Sequence, residues 1–111
     1  MVRVANKPAA TQKLAEITKR EVRLYAATSD DAVFYPILDD ANQTYAVVVL
    51  EYDPSLRPAW VLVMARVDGD RIIIEEDATL EKHLVDALVL NGGISRDKIV
   101  LAYKEFLPST A

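Results

Sequence analysis

Two consecutive stretches of this sequence are apolar on both of their alternating faces, and they constrain the fold more than any other feature. Thr44–Tyr52 carries Tyr, Val and Leu side chains at odd and even positions alike, and Trp60–Val67 repeats the pattern. A strand that is apolar on both faces usually lies in the middle of a sheet and is covered on both sides. We therefore expect these two segments to be the central strands.

Helical signals flank the strands. Apolar residues recur at helical spacing from Ala9 to about Ala27, where a polar turn follows. Asp77 and Thr79 are both good N-caps for a second helix, whose apolar stripe starts at Leu80. The sequence Asn91-Gly92-Gly93 is typical of a helix end, because glycine adopts the left-handed conformation there.

Three further segments are predicted strands. Val33–Leu38 contains Pro36, which cannot donate to a sheet ladder, so we expect an edge strand. Asp68-Gly69 predicts a hairpin with a type I′ turn, leading into a fourth strand at Arg71–Glu76. Ile99–Tyr103 is the fifth.

The predicted order is an N-terminal helix, a four-stranded antiparallel meander, a second helix and a fifth strand. This is an α+β fold with the helices packed on one face of the sheet. A chain of 111 residues fits one domain. We expect that domain at residues 9–107, between a flexible leader at residues 1–8 and a tail at residues 108–111.

The composition excludes several classes of protein. The chain has no cysteine, so disulfides, thiolate metal sites and cysteine nucleophiles are all excluded. No run reaches the ~18 apolar residues of a membrane span, and Met1–Pro8 lacks the apolar stretch of a signal peptide. We therefore expect a cytoplasmic protein without a membrane partner.

Charge is unevenly spread along the chain. Residues 1–27 carry a net charge of +4 and the rest carries −8. Such a basic region suits an acidic partner, a nucleic acid, or the acidic body of a second copy. The candidate partner-binding residues lie on one side of the first predicted helix: Lys13, Lys19, Arg20 and Arg23.

The acidic cluster Glu75-Glu76-Asp77 is the best candidate for a metal site, with Asp68 and Asp70 across the hairpin. In a regular strand, however, Glu75 and Glu76 point to opposite faces. A helix cap explains Asp77 better. We therefore predict no metal site.

The remaining chemical candidates also favour ordinary structural roles. His83 is the single histidine, with no nucleophile nearby in the sequence, and is interpreted as a boundary or surface residue. No serine lies in a nucleophile-elbow motif, and the glycine pair after the second helix lacks the placement of a phosphate loop. The sequence predicts no catalytic residue and no cofactor.

Two single residues stand out for their position. Glu21 falls within the apolar stripe of the first helix, where burial is costly unless the carboxylate is paired. We expect it to reach water at the edge of the stripe; the alternatives are an arginine partner from the sheet or a surface open to a partner. Trp60 begins an apolar strand and is expected to anchor the core.

The two-sided strands also carry a prediction about assembly. Two helices supply only one apolar stripe each, which leaves apolar strand surface uncovered. A large uncovered apolar face generally marks an interface in a soluble protein. We therefore expect a homo-oligomer that binds protein better than DNA.

The order of motifs after residue 66 resembles a known family. The hairpin at Val67–Ile74 is followed by Asp77-Ala78-Thr79, by an apolar helix that ends in glycine, and by Ser95-Arg96-Asp97-Lys98 before Ile99–Tyr103. This order resembles the XisI family, the fdxN element excision controlling factors. The matching structural residues are Asp68, Gly69, Asp77, Thr79, Gly92, Gly93 and Asp97. The sequence departs from the family's usual Asp-Gly-Thr at Ala78.

The resemblance implies a non-catalytic accessory factor in the excision of a DNA element by a site-specific recombinase. It further implies a XisH-like partner of nuclease fold and a recombinase complex on DNA as the setting. One alternative is a small DNA-binding protein that uses the basic face of the first helix. A weaker alternative is a metal-dependent hydrolase with an acidic site.

Overall fold

The computed structural model describes residues 9–53, 55 and 59–105, so the predicted leader and tail lie outside the described residues. The helices are α1 (Ala9–Arg23), α2 (Leu84–Leu90) and α3 (Ala102–Glu105), with a 3₁₀ turn at Arg96–Lys98. The strands are β1 (Ala27–Thr28), β2 (Ala32–Asp39), β3 (Thr44–Glu51), β4 (Ala59–Asp68), β5 (Arg71–Asp77) and β6 (Ile99–Leu101).

The six strands form one sheet whose spatial order follows the chain from β1 to β6. Strands β1 to β5 are antiparallel to their neighbours, and β6 is parallel to β5. The predicted α+β fold is confirmed, and β3 and β4 are central as expected. The sequence predicted five strands, whereas the described residues contain six.

The core lies on one side of this sheet, which we call the covered face. Residues in register on neighbouring strands share a face, and the pairs Tyr45–Ala65 and Val47–Val63 are buried. They join one cluster with residues of both longer helices: Leu14, Ala15, Val22, Leu84 and Leu88. Helix packing on one face is therefore confirmed.

Helix α1 is shorter than predicted and a small strand follows it. The sequence indicated helix to about Ala27, but the helix ends at Arg23, and Ala27 and Thr28 pair with Phe34 and Val33. Two residues are too few to show the alternation of a strand, so β1 has no signal of its own in the sequence.

The edge position predicted for the Pro36 strand needs correction. Strand β2 is second in the sheet, because β1 pairs with it. However, β1 reaches only Val33 and Phe34, so Pro36 lies beyond the end of β1. The proline therefore stands on the part of β2 that no described strand covers on its outer side, and the constraint behind the prediction is still satisfied.

The Asp68-Gly69 hairpin forms with a different turn. Asp68 and Arg71 are paired, so the two loop residues are Gly69 and Asp70. Only Gly69 has positive φ there, at 64°. A type I′ turn needs positive φ at both positions, so that assignment was wrong; glycine at the first position alone is the pattern of a type II′ turn.

Helix α2 begins four residues later than its predicted apolar stripe. Leu80 is 92% exposed and lies in a loop, and the helix starts at Leu84. Asp77 accounts for the delay, because its Oδ2 accepts the Leu84 backbone N–H at 2.8 Å while its Oδ1 accepts that of Thr79 at 2.9 Å. One carboxylate thus closes the intervening loop and caps the helix from seven residues upstream.

The glycines after α2 confirm the predicted helix end. Gly93 has φ 69°, in the left-handed region. At Gly92 a Cβ would lie 2.7 Å from Ile17 Cγ2 of α1 and 2.6 Å from the Leu88 carbonyl oxygen. Glycine is therefore required at residue 92 for α1 to approach the end of α2 this closely.

The C-terminal strand is shorter than predicted. β6 covers Ile99–Leu101, and Ala102 and Tyr103 belong to α3. Arg96 donates from Nη1 to the carbonyl oxygen of Ile99 at 2.9 Å.

No helix in the described part of the chain is long and apolar enough to cross a membrane.

Candidate functional site

The basic face of α1 is partly neutralised by ion pairs. Lys19 Nζ lies 2.9 Å from Asp40 Oδ2, in the turn between β2 and β3. Arg20 Nε lies 2.9 Å from Glu21 Oε2. Among the described residues, Lys13 and Arg23 form no ion pair of this kind. All four candidates lie on α1, but among the described residues only Lys13 and Arg23 remain as unpaired cations.

Asp40 links this face to the core. Its carboxylate also accepts a hydrogen bond from the Tyr45 hydroxyl at 3.2 Å. The hydrogen bond from Lys19 is the main reason that the pKa of Asp40 is lowered. Burial, and then the charge of Asp40, raises the pKa of Tyr45 to about 12. Lys19 therefore acts as a structural tether between α1 and the β2–β3 turn.

Glu21 is buried, contrary to the expectation that it reaches water. It is 2% exposed, and its second oxygen accepts from Asn91 Nδ2 at 3.3 Å. Arg20 also donates to the Asn91 carbonyl oxygen at 3.3 Å. The pairing arginine comes from the same helix rather than from the sheet. Together these contacts join α1 to the end of α2.

A groove of about 450 Å³ lies between α1, α2 and the loop before α2. Leu24 and Leu90 line it and are 70% and 80% exposed. Glu81, Lys82 and Asp86 add charge around them. The groove combines exposed aliphatic side chains with a charged border, which suits a protein surface as a ligand. Here it is called the helical groove.

Tyr25 also lines the helical groove. Its hydroxyl donates to the carbonyl oxygen of Lys82. Burial raises the pKa of Tyr25 to about 12, with further contributions from Asp77 and Glu21. This contact holds the loop before α2 against the end of α1.

His83 is the last residue of the loop before α2, and it is a partly exposed boundary residue. Its Nδ1 is 3.1 Å from Thr79 Oγ1 and 3.8 Å from Asp77 Oδ2. Thr79 Oγ1 also donates to Asp77. The Asp77 side chain has no exposed surface. Asp77, Thr79 and His83 therefore form one local network whose visible role is to cap α2.

The acidic cluster is arranged differently from the sequence prediction. A bulge in the β4–β5 ladder pairs Met64 with Glu76 and Arg66 with Ile73. Glu76 therefore shares a face with Met64, and Glu75 Oε2 lies 2.6 Å from Arg66 Nε on that same face. The expectation that Glu75 and Glu76 point to opposite faces was wrong.

Asp68 and Asp70 of the hairpin also lie near cations. Asp68 Oδ2 is 3.8 Å from Arg66 Nη1, and Asp70 Oδ2 is 3.8 Å from Lys98 Nζ. Within the described residues no group of three or more His, Asp or Glu is arranged to hold a metal ion. These acids therefore form ion pairs: Arg66 meets Glu75 across β4 and β5 and Asp68 along β4, and Lys98 meets Asp70 in the turn.

The remaining structural motif residues hold α1 against the hairpin and stabilise the C-terminal turn. The Gly69 carbonyl oxygen accepts from Thr11 Oγ1 of α1 at 2.8 Å. Ser95 Oγ donates to Asp97 at the 3₁₀ turn, and this hydrogen bond lowers the pKa of Asp97. Trp60 packs against the core and donates from Nε1 to Glu51 Oε2 at 3.0 Å.

The face opposite the helices is the second candidate surface, and we call it the open face. Its register pairs include Tyr35–Val48 and Ile37–Ala46. Tyr35 and Ile37 are 52% and 50% exposed. The two-sided strands predicted this surface. The helical groove was not predicted, because the helical spacing from Ala9 to about Ala27 includes Leu24 in the apolar stripe of the first helix, whereas Leu24 is exposed.

These features define the class of protein: a small α+β domain with one sheet face covered by helices and two exposed apolar surfaces. The chain belongs to the XisI family, since the family model described as XisI protein matches residues 7–108. A search of curated proteins finds no significant match.

Solved structures agree with this assignment. A crystal structure of a XisI-like protein from Anabaena variabilis ATCC 29413 matches with a TM-score of 0.71 and 21% identity, covering 83% of this chain and 85% of that chain. The crystal structure of the fdxN element excision controlling factor XisI from the same organism matches with a TM-score of 0.60 and 25% identity. That match covers 90% of this chain and 92% of the other.

Proposed function

We propose that this protein is a non-catalytic accessory factor that helps control the site-specific excision of a DNA element by binding a XisH-like protein of nuclease fold. The observation that carries the proposal is the family match over residues 7–108. The similarity to a protein described as the fdxN element excision controlling factor XisI supports the same role.

The helical groove is the proposed contact surface for the XisH-like protein. Leu24 and Leu90 offer aliphatic anchors that are already exposed. Glu81, Lys82 and Asp86 form a border that carries charges of both signs. Interfaces typically join such an apolar centre to a charged rim. The contact therefore favours a partner surface with an apolar ridge and charged groups of both signs beside it.

The test is binding of the purified chain to the XisH-like protein encoded in the same genome, measured by isothermal titration calorimetry. We expect saturable binding that Leu24→Asp together with Leu90→Asp weakens at least about tenfold. Ile37→Asp is the matched control, because Ile37 is also an exposed aliphatic residue but lies on the open face. Absence of binding by the unmodified chain would contradict the proposal.

Direct DNA binding through α1 is the rival hypothesis. Lys19 and Arg20 are engaged with Asp40 and Glu21, which leaves little contiguous free basic surface. Fluorescence anisotropy with duplex DNA at two salt concentrations distinguishes the two functions. Salt-sensitive binding that is lost on Arg20→Ala and Arg23→Ala would favour the nucleic-acid function instead.

The weaker rival, a metal-dependent hydrolase, is tested by phosphodiester hydrolysis with and without divalent cations. Arg66 neutralises Glu75 at 2.6 Å, so a cation at this position would have to displace an arginine. We expect no hydrolysis in either condition. Metal-dependent activity that disappears on Glu75→Ala or Glu76→Ala would reverse the assignment.

A further inference from the structure

His83 is the single histidine of the chain, and it borders the helical groove. Its side chain is 45% exposed. Nδ1 faces the loop before α2 and lies 3.1 Å from Thr79 Oγ1. The other ring nitrogen, Nε2, is on the far side of the ring from this contact, and no described residue forms a hydrogen bond with it. What Nε2 can bind depends on which of the two nitrogens carries the proton.

The Asp77 side chain, which has no exposed surface, determines the direction of the Thr79 hydroxyl. Oδ2 accepts the Leu84 N–H at 2.8 Å, and Oδ1 accepts the Thr79 N–H at 2.9 Å. Oδ1 is also in contact with Thr79 Oγ1. A carboxylate can only accept hydrogen bonds, so the Thr79 hydroxyl is the donor in this contact. Because a hydroxyl has one proton, the Thr79 oxygen can only accept from His83.

The acceptor at Thr79 fixes the tautomer of His83. Nδ1 carries the proton, because only then can it donate to Thr79 Oγ1. A neutral imidazole has one N–H and one nitrogen with a free lone pair, so Nε2 is the acceptor. The series of contacts from Asp77 through Thr79 to His83 therefore places an unprotonated nitrogen at the border of the helical groove.

Two exposed carboxylates lie at the same border. Glu81 is in the loop before α2, and Asp86 is in the first turn of α2, where its N–H donates to the His83 carbonyl oxygen at 3.1 Å. Lys82 is the one Lys or Arg among the described residues that line the groove. The remaining carboxylate of the groove, Glu21, is buried and already paired. The border therefore offers hydrogen-bond acceptors and an excess of negative charge.

We propose that His83 Nε2, Glu81 and Asp86 form a binding site for an arginine side chain of the protein partner, beside the leucines of the helical groove. The site rests on the proposed function, because it takes the helical groove as the contact surface. A guanidinium group has five N–H donors and no acceptor, so it can donate to a ring nitrogen and to a carboxylate at once. An acidic side chain in the same place would meet two like charges.

The tautomer is tested on the free chain by NMR. In a chain labelled with the NMR-active nitrogen isotope, the single histidine gives one set of correlations between ring nitrogens and ring protons. At about pH 8, where histidine is ordinarily neutral, we expect the Nδ1–H form in the folded chain. The urea-unfolded chain is the reference, in which the contact with Thr79 is absent. A folded chain with Nε2–H as its main form would overturn the proposal.

Two substitutions at His83 test its role in binding, by calorimetry with the XisH-like protein. Glutamine places its amide oxygen near the position of Nε2, whereas asparagine places its own near that of Nδ1. We therefore expect His83→Gln to keep the dissociation constant within about threefold, and His83→Asn to raise it at least about tenfold. Asparagine is a good N-cap, so His83→Asn should fold, which circular dichroism checks. Equal binding by His83→Asn and the unmodified chain would refute the role of Nε2.

The charge of the bound side chain is tested by neutralising one sign of the border at a time. Glu81→Gln together with Asp86→Asn should raise the dissociation constant at least about fivefold, and added salt should reduce this difference. Lys82→Gln is the matched control in the same border, and it should leave the dissociation constant unchanged or lower it. Weaker binding by Lys82→Gln alone would assign an acidic side chain to the site and overturn the proposal.

Failure of this site is distinguishable from failure of the proposed function. No binding by the unmodified chain contradicts the proposed function and, with it, the arginine site. Binding that changes neither with His83→Asn nor with the loss of the Glu81 and Asp86 charges contradicts the arginine site alone.

Discussion

The two faces of the sheet both carry apolar residues but have opposite surroundings. On the covered face Val47, Val63 and Ile74 have no exposed surface. On the open face Tyr35 and Ile37 alternate along β2 with residues that pack against the core, yet remain half exposed. Apolar alternation therefore identifies strand faces, but the number of available helices decides which face becomes core.

The largest expected effect separates the faces by stability. Ile74→Ala should lower the free energy of unfolding by about 3 kcal/mol, because it removes fully buried methyl groups and leaves a cavity. Ile37→Ala should cost less than about 1 kcal/mol in the monomer. Urea denaturation at a concentration that keeps the chain monomeric measures both. Equal losses would show that the open face is covered by something undescribed.

A second comparison uses adjacent carboxylates on opposite faces. Asp77→Ala should lower the free energy of unfolding by about 2 kcal/mol, because it leaves the Leu84 and Thr79 N–H groups without their hydrogen-bond acceptor. Glu76→Ala on the open face should cost less than about 1 kcal/mol. Thermal denaturation followed by circular dichroism checks the pair. A larger loss for Glu76→Ala would contradict the register given to the β5 bulge.

The buried carboxylate of Glu21, on α1, gives a smaller effect. Arg20→Ala removes one of the donors to Glu21 and should cost about 1 kcal/mol. Arg23→Ala, an exposed cation three residues further along the helix, should change stability by less than about 0.5 kcal/mol. Chemical denaturation of the two variants side by side tests this. No difference between them would mean that Asn91 alone suffices to hold Glu21.

The smallest expected effect appears only at alkaline pH. The pKa of Tyr25 is raised from 10.0 to about 12 in the folded chain. The unfolded chain therefore loses this proton first, so the stabilisation is fully present below pH 10 and is lost as pH rises towards 12. Tyr25→Phe should flatten this decline in a pH series of unfolding midpoints. An unchanged slope would mean that Tyr25 is freely hydrated.

Sequence patterns anticipated what depends on neighbours along the chain. The two-sided strands, the Asp68-Gly69 hairpin and the glycine end of α2 all rest on local conformational preferences, and they formed as elements where expected. The late start of α2 was missed because Asp77 caps it through a contact seven residues away. Local periodicity assigns Leu80 to the helix, because it contains no information about that hydrogen bond.

The candidate surfaces were predicted to different degrees, because only some of their features depend on neighbours along the chain. Surplus apolar strand area is visible in the sequence, and it led to the open face. The engagement of Lys19 by Asp40 joins residues 21 positions apart, across a turn whose position relative to α1 only the fold determines. Leu24 of the helical groove lies just beyond the end of α1 at Arg23, where helical periodicity no longer fixes the direction of a side chain.

The parallel pairing of β6 with β5 has a consequence for how the molecule is made. Strands β2 to β5 can pair in the order of synthesis, since each joins the strand just before it through a short connection. Ile72 and Ile99 become partners only after the residues between them have left the ribosome. The nascent chain therefore carries an unfinished β5 edge until nearly the whole domain is available. A chaperone that shields this edge would act during the last step of folding.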